Sequence, residues 1–228
     1  MSPTVVKISG QARLIWSVES SRKLVALTFD DGPVPNATPL VLDALDKTGV
    51  SATFFLVGSR LEANAGLIEG RLDRHEVGNH TWSHKDLSTL DWQGNFDEIS
   101  KSHQSIVKHL GIEPKIFRPP FGHIGTLTMR AADRFGYDFI MWSQGVTEKD
   151  FVEKPDAVIP FVVDNMVPGT IFLAHDAVAP GIDPPFLNRL VDIIEKLKAQ
   201  GYEFVTVSEL MAAGQAHAAT AKVTTAPS

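Results

Sequence analysis

His80 and His84 stand four residues apart, a spacing that on one helical turn brings both imidazoles to the same side and within reach of one ion. Eight histidines in 228 residues produce such a pair by chance in about one chain in four, so the spacing alone is a weak signal. A second feature strengthens it. Asp30-Asp31-Gly32-Pro33 puts two neighbouring carboxylates at the end of an apolar run. Asp-Gly and Gly-Pro form turns, but adjacent anions repel and are best tolerated where a cation holds each one ionised. A divalent metal on Asp31 and the guanidinium of Arg118 near Asp30 would supply those cations. Two His and one carboxylate leave coordination positions open for water and substrate, the layout of a catalytic rather than a structural site.

His175 reads equally well as a hydrogen-bonded core histidine and, placed across a mouth from a metal, as an acid. Arg118, followed by Pro119 and Pro120, also fits a surface arginine in a rigid loop. Trp82 and Trp142 suit either the core or a flat wall for a sugar ring, and at least one is expected in the core. His75, His103, His109, His123 and His217 follow no motif and are expected to be structural or exposed.

These residues lie far apart in the chain, so a scaffold must gather them. Short β-branched or aromatic runs alternate with stretches of helical period, giving seven strand–helix pairs after residue 22. The strands are expected at Lys23 to Phe29, Ser51 to Val57, Glu76 to Asn79, Ile116 to Arg118, Tyr137 to Trp142, Thr170 to His175 and Glu203 to Val207. Helices are expected at Thr38 to Thr48, Arg60 to Leu72, from Asn95 as N-cap to Gly111, Thr126 to Phe135, Pro155 to Met166 with a kink or break at Pro160, and Pro185 to Gln200. Seven units are one short of the usual closed form, so the fold class is α/β, a distorted or incomplete parallel (β/α) barrel with about seven strands. In such a barrel the reactive residues gather where strands end. The unusual polar residues here follow the first, third, fourth and sixth strands.

Nothing in the composition marks a second domain. Residues 1–22 read as a flanking segment in which Val5 to Ile8 and Leu14 to Val18 form a hairpin or cap, 23–213 as the catalytic domain, and 214–228 as a flexible Ala- and Thr-rich tail after a short helix at Ser208 to Ala213. The formal net charge of −6 offers no basic surface for nucleic acid. With no cysteine, any metal must sit on His, Asp or Glu. Met1 to Gly10 has no continuous apolar stretch, so neither a secretory leader nor a membrane span is expected. As written the chain reads as cytoplasmic, and as extracytoplasmic if a leader has been removed. Its oligomeric state is left open.

TFDDGP, HTWSH, RPPFG and LAH occur in that order from residue 28 to residue 175, and together they resemble the polysaccharide deacetylase family, carbohydrate esterase family 4 or the NodB homology domain. The resemblance spans about Leu24 to Leu210. It implies Asp30 as general base, Asp31, His80 and His84 as metal ligands, His175 as general acid, Arg118 as the residue that holds Asp30, and the backbone N–H of Phe121 as an oxyanion donor. Phe121 stands where the family usually has Tyr. The family's Asp-Trp pair, whose carboxylate orients the acid, is matched by Asp150-Phe151 after a slightly longer loop, which makes Asp150 the candidate partner of His175 with Asp176 and Glu148 as competitors.

The function so implied is metal-dependent removal of N-acetyl groups from N-acetylglucosamine-containing glycans such as chitin, chito-oligosaccharide or peptidoglycan. The expected ion is zinc, with cobalt or another divalent ion as the substitute. Alternatives are the same chemistry on a small amide, imide or acetylxylan ester, a glycan-binding module that has lost catalysis, and an iron oxygenase using the same three ligands.

Overall fold

In the computed structural model, which describes residues 5–9, 12–147, 149–179 and 181–224, the polypeptide builds one curled sheet. Its strands are β1 (Val5–Ser9), β2 (Ala12–Ile15), β3 (Leu24–Asp30), β4 (Thr53–Leu56), β5 (Glu76–Asn79), β6 (Ile116–Phe117), β7 (Asp138–Ile140), β8 (Gln144–Gly145), β9 (Thr170–His175) and β10 (Glu203–Phe204). They run in the order β1-β2-β7-β6-β5-β4-β3-β9-β8, with β10 added to β3. Every pairing is parallel except the β1–β2 hairpin.

All seven expected strands are present, and the architecture is the expected incomplete barrel. Three further strands join it, the two of the N-terminal hairpin and β8. The N-terminal hairpin is not a separate cap, because β2 pairs with β7 through Leu14 and Ile15. Gln144 and Gly145, which carry no strand-like pattern, pair with Phe172 and Leu173 of β9. The curl is drawn together where Ser17 bridges Thr170 and the Val18 N–H donates to the Gly169 carbonyl at 3.0 Å.

Alternation along β3 divides the interior. Val25, Leu27 and Phe29 join the core formed with α1 (Thr38–Thr48) and α7 (Leu190–Ala199), while Leu24 and Ala26 pack with Phe55 and Ile171 in a second cluster inside the curl. Each strand covered on both faces is apolar almost throughout, as a parallel sheet requires. Only Thr28 and Asp30 bring polar atoms to the inner face of β3, at the end where the strand opens into its loop.

The helices depart from expectation in ways that have local causes. Between β4 and β5 lie α2 (Gly58–Asn64) and a 3-10 turn at Ala65–Leu67. Helix α3 (Trp92–Leu110) starts one turn earlier than expected, because Asp91 is the N-cap and its carboxylate accepts the Gly94 N–H at 2.8 Å. Asn95 is buried in the first turn, where its amide donates to the carbonyls of Leu87, Leu90 and Asp91. Helix α4 (Thr126–Asp133) follows β6, and α5 (Val158–Asn165) follows the loop after β8. Pro160 neither kinks nor breaks α5, since it is the third residue, where a backbone N–H would have no intrahelical acceptor. The last amphipathic segment divides into α6 (Pro185–Asn188) and α7 at Arg189. Gly214 to Thr224 is not an irregular tail but continues α8 (Val207–Thr224), in keeping with the helix propensity of alanine. Residues 225–228 lie outside the described residues.

The closure point has a demanding backbone. Gly169 has φ +84°, and a Cβ there would lie 1.7 Å from the Val18 carbonyl oxygen. Gly169→Ala is expected to lower unfolding stability by more than the roughly 1–2 kcal/mol that an L-residue costs at positive φ. Urea unfolding checks this, with a drop in midpoint at unchanged slope as the expected result.

Candidate active site

Arg118 enters the barrel interior from the end of β6 with its side chain fully buried. Four of its five N–H donors are satisfied. Nη1 donates to Asp30 Oδ1 at 2.6 Å and to Thr28 Oγ1 at 2.7 Å, Nε to the Ile140 carbonyl at 2.9 Å, and Nη2 to the Met141 carbonyl at 2.9 Å. The guanidinium lies 4.1 Å over the Phe55 ring. Burial presses its pKa down and the Asp30 charge opposes that; an arginine stays charged regardless. The reading of Arg118 as a loose surface arginine is therefore overturned.

The backbone of the same residue acts on the histidines. His80 Nδ1 lies 2.6 Å from the Arg118 carbonyl, so this nitrogen carries the proton and Nε2 is left as the free lone pair. His80 and His84 are not on a helix, as their spacing suggested, but on the loop after β5. The loop turns back on itself because Thr81 and His84 adopt φ of +69° and +58°. For the β-branched Thr81 this is a strained conformation. It is held by the Asn79 side chain, which accepts the Thr81 N–H at 2.8 Å, by the Gly58 N–H donating to the Thr81 carbonyl at 2.9 Å, and by the His84 N–H donating to Thr81 Oγ1 at 3.1 Å.

Two imidazoles and one carboxylate converge as a result. His84 Nε2 lies 2.9 Å and His80 Nε2 3.4 Å from Asp31 Oδ1, and the three donor atoms all fall within 4.8 Å of one another. Burial alone would raise the Asp31 carboxyl, but the close contacts and charges of His80 and His84 outweigh it and hold the group far below the usual carboxylate range. Burial likewise would lower His80, yet the Asp30 charge and the Asp31 contact drive it up. The pocket thus favours positive charge. Asp31 Oδ1 is buried with no satisfactory hydrogen-bond geometry to any described partner, which is what a ligand oxygen awaiting a cation looks like. The donor set, two neutral imidazole nitrogens and one carboxylate oxygen, fits a divalent ion with an open position.

Asp30, Asp31, His80, His84, Phe121 and His175 line one cavity of about 410 Å³ at the strand ends, with Trp142 and Leu173 among its walls. Trp82 is half-buried elsewhere, next to Gly58. Phe121 is 59% exposed, adopts φ +60°, and meets His84 edge to face at 4.9 Å. Its backbone N–H has no acceptor among the described residues and is free for a ligand.

Asp150 is not brought to His175. Its carboxylate accepts the Thr147 N–H at 2.6 Å and closes a turn on the surface. Asp176 also faces away from His175, because successive strand residues point to opposite sides; it accepts the Gly32 N–H at 2.8 Å and the Thr38 hydroxyl at 2.7 Å. Glu148 lies outside the described residues. His175 Nδ1 is buried with no partner among them.

Asp176 and Glu98 are functional supports that the sequence reading missed. A Cβ at residue 32 would lie 2.0 Å from Asp176 Oδ2, so the glycine of Asp30-Asp31-Gly32-Pro33 is what lets the loop rest on this carboxylate. Glu98 is buried and accepts the Ser83 N–H at 2.8 Å and the Ser83 hydroxyl at 2.7 Å, clamping the histidine loop. Glu98 stands three residues after Asn95, where it also suits the partner of an Asn95 cap, and nothing local points to its reach toward Ser83.

The profile of the family described as polysaccharide deacetylase matches residues 17–140. A peptidoglycan-N-acetylglucosamine deacetylase of Bacillus cereus is 37% identical over 199 residues, covering 86% of this chain and 92% of the relative. The peptidoglycan-N-acetylglucosamine deacetylase PgdA of Listeria monocytogenes is 37% identical over 83% of this chain, which spans 39% of that longer protein. A family 4 acetyl xylan esterase from Clostridium thermocellum, solved in complex with a cobalt ion, superposes with a TM-score of 0.73 at 37% identity over 83% of this chain and 91% of the other.

Two outcomes follow from the geometry. Arg118→Met leaves Asp30 buried without its cation and should lower stability by about 3–5 kcal/mol, with Asp30→Leu in the same chain recovering part of the loss in denaturant titrations. Burial lifts the Asp176 carboxyl from its ordinary 3.8 to about 7, with the Asp31 and Asp30 charges adding to this and the Thr38 and Gly32 hydrogen bonds opposing it. Between those two values the folded protein keeps a proton that the unfolded chain has lost, so this group's contribution to stability falls as pH rises from about 4 to about 7. In metal-free protein, Asp176→Asn should remove that decline, at most about 1.4 kcal/mol per pH unit, as read from unfolding free energies across the range.

Proposed function

Because the chain belongs to the polysaccharide deacetylase family, we propose that it removes N-acetyl groups from N-acetylglucosamine residues of peptidoglycan by metal-assisted hydrolysis. The observation that carries this reading is the meeting of Asp31, His80 and His84 within 4.8 Å, beside a second carboxylate fixed by a buried arginine. Those three residues would hold the ion, which we take to be zinc on the chemistry of its donors. When bound, such an ion supplies Lewis acidity, activating a water and polarising the acetamide carbonyl.

The chain's own groups account for the remaining steps. Arg118 occupies Asp30 Oδ1 and leaves Oδ2 toward the histidines, 3.7 Å from His80 Nε2. Asp30 Oδ2 is therefore placed to take the proton of the attacking water. The Phe121 N–H donates to the oxygen on which negative charge develops. Protonated His175 then gives its proton to the departing sugar amine, a leaving group too basic to go unaided. Trp142 and Leu173 give the acetyl methyl and the sugar ring an apolar wall.

Retention of the acid, the base and all three ligands weighs against a glycan-binding module that has lost catalysis. The acetyl xylan esterase relative supports a second reading, since the same groups would act on an acetyl ester. Peptidoglycan lies outside the cytoplasmic membrane, which makes that the working location under this proposal.

Asp30→Asn should lower acetate release from peptidoglycan fragments about a hundredfold or more, while elemental analysis still finds one divalent ion per folded chain. A fully active variant would refute the assignment of the base. Greater acetate release from acetylxylan than from the N-acetylated glycans would favour the ester reading.

A further inference from the structure

The loop that departs from the family pattern has an ordered construction. Val146 is buried, and its N–H donates to the Leu173 carbonyl of β9 at 2.9 Å. On the far side Phe151 packs its ring against Phe161 at 5.1 Å and against the edge of the main core. Between these anchors Asp150 accepts the Thr147 N–H and returns its own N–H to the Thr147 carbonyl at 3.2 Å. The carboxylate that would otherwise orient His175 thus builds the turn that carries Lys149.

Lys149 is exposed and lines the same cavity as Asp31, His84, Trp142 and His175. Its ammonium has no carboxylate within 4.0 Å among the described residues, and the carboxylate of Asp150 beside it is engaged by the Thr147 N–H. Of the described residues lining the cavity, Lys149 is the one permanent cation. Arg118 is buried beneath the site and committed to Asp30. The imidazoles of His80 and His84 are neutral when they hold a metal. An acidic chain of net charge −6 therefore presents to whatever occupies this cleft a positive group that has no carboxylate partner among the described residues.

Chitin and peptidoglycan offer the same acetamide but differ in charge. Peptidoglycan carries carboxylates, on the lactyl ether of muramic acid residues that bear no stem peptide and on the stem peptides of the others; chito-oligosaccharides carry none. We propose that Lys149 is a specificity-determining residue that pairs with a substrate carboxylate and biases this enzyme toward the anionic polymer. This rests on the deacetylase reading above. The interaction acts on binding, so it belongs in KM, and as a solvent-facing pair it weakens with salt.

The test compares three substrates of matched length: an N-acetylglucosamine oligomer, a peptide-free oligomer alternating with N-acetylmuramic acid, and the same oligomer with stem peptides. Acetate release is measured for the wild type and for Lys149→Ala, Lys149→Glu and Lys149→Arg. Lys149→Ala is expected to lower the ratio of kcat/KM on the anionic substrates to that on the neutral one by about fivefold, through KM. Lys149→Glu should lower it about tenfold or more, Lys149→Arg should keep it, and 0.5 M salt should erode the wild-type ratio. A fall confined to the peptide-free anionic oligomer identifies the lactyl carboxylate, which a stem peptide converts to an amide; a fall confined to the third substrate identifies the peptide, and a fall on both shows that either carboxylate can pair. An unchanged ratio in both Lys149→Ala and Lys149→Glu, or an equal loss on all three substrates, overturns the proposal. If the wild type releases acetate from none of them, the deacetylase reading itself fails and this inference falls with it.

Discussion

A guanidinium without access to water is the constraint around which the mouth of this barrel is arranged. Arg118 is 0% exposed, and an arginine cannot discharge itself to escape burial, so its surroundings must supply an anion and acceptors. Asp30 supplies the charge, and Thr28 with the carbonyls of Ile140 and Met141 supplies the rest. Three strands, β3, β6 and β7, are thereby fixed relative to one another at the ends where chemistry is done. The Arg118 carbonyl simultaneously selects which nitrogen of His80 keeps its proton. One residue therefore holds the candidate base in place with one group and presents a ligand lone pair with another.

The loops above this layer rest on a second set of buried polar groups. Asp176 carries the loop of Asp30 and Asp31 through the Gly32 N–H, Glu98 carries the histidine loop through Ser83, and Asn79 holds Thr81 in its left-handed conformation. Asn79 is braced in turn by the Tyr137 hydroxyl, which His103 contacts at 2.7 Å. All three supporting side chains reach outside the cavity, so none competes for the ion or the substrate. Each satisfies backbone N–H groups that an irregular loop would otherwise leave unpaired. The strain at Thr81 and His84 persists because these contacts over-determine the loop.

Much of this was legible in the chain. Fully apolar strands such as Leu24–Asp30 declare burial on both faces, and polar residues that interrupt them at their ends declare a site. Asp31, His80 and His84 could be grouped because charge repulsion and ligand chemistry constrain residue type strongly. What could not be read depends on contacts between distant segments. Glu98 suits a cap partner and Asp176 a partner of His175 until Ser83 and Gly32 are placed against them. Asn95 resembles a cap because capping depends on where the helix begins, and Asp91, four residues earlier, competes for that role. Gln144 and Gly145 have no strand propensity of their own and pair only because β9 offers an open edge.

The same distinction bears on the segment after β8, where Asp150 does not reach His175. Asp30 and His175 are register partners on adjacent parallel strands, and both line the cavity. Strand spacing therefore fixes their backbones about 4.8 Å apart. The candidate base and acid owe their mutual position to the ladder, which no loop beyond β8 can alter. A carboxylate on that loop could refine the orientation of His175, but the ladder already delivers this residue to the cavity. With the placement of the acid secured by the sheet, the segment from Thr147 to Phe151 is free to serve a different end, and here its Asp150 shapes a turn that sets a cation at the rim.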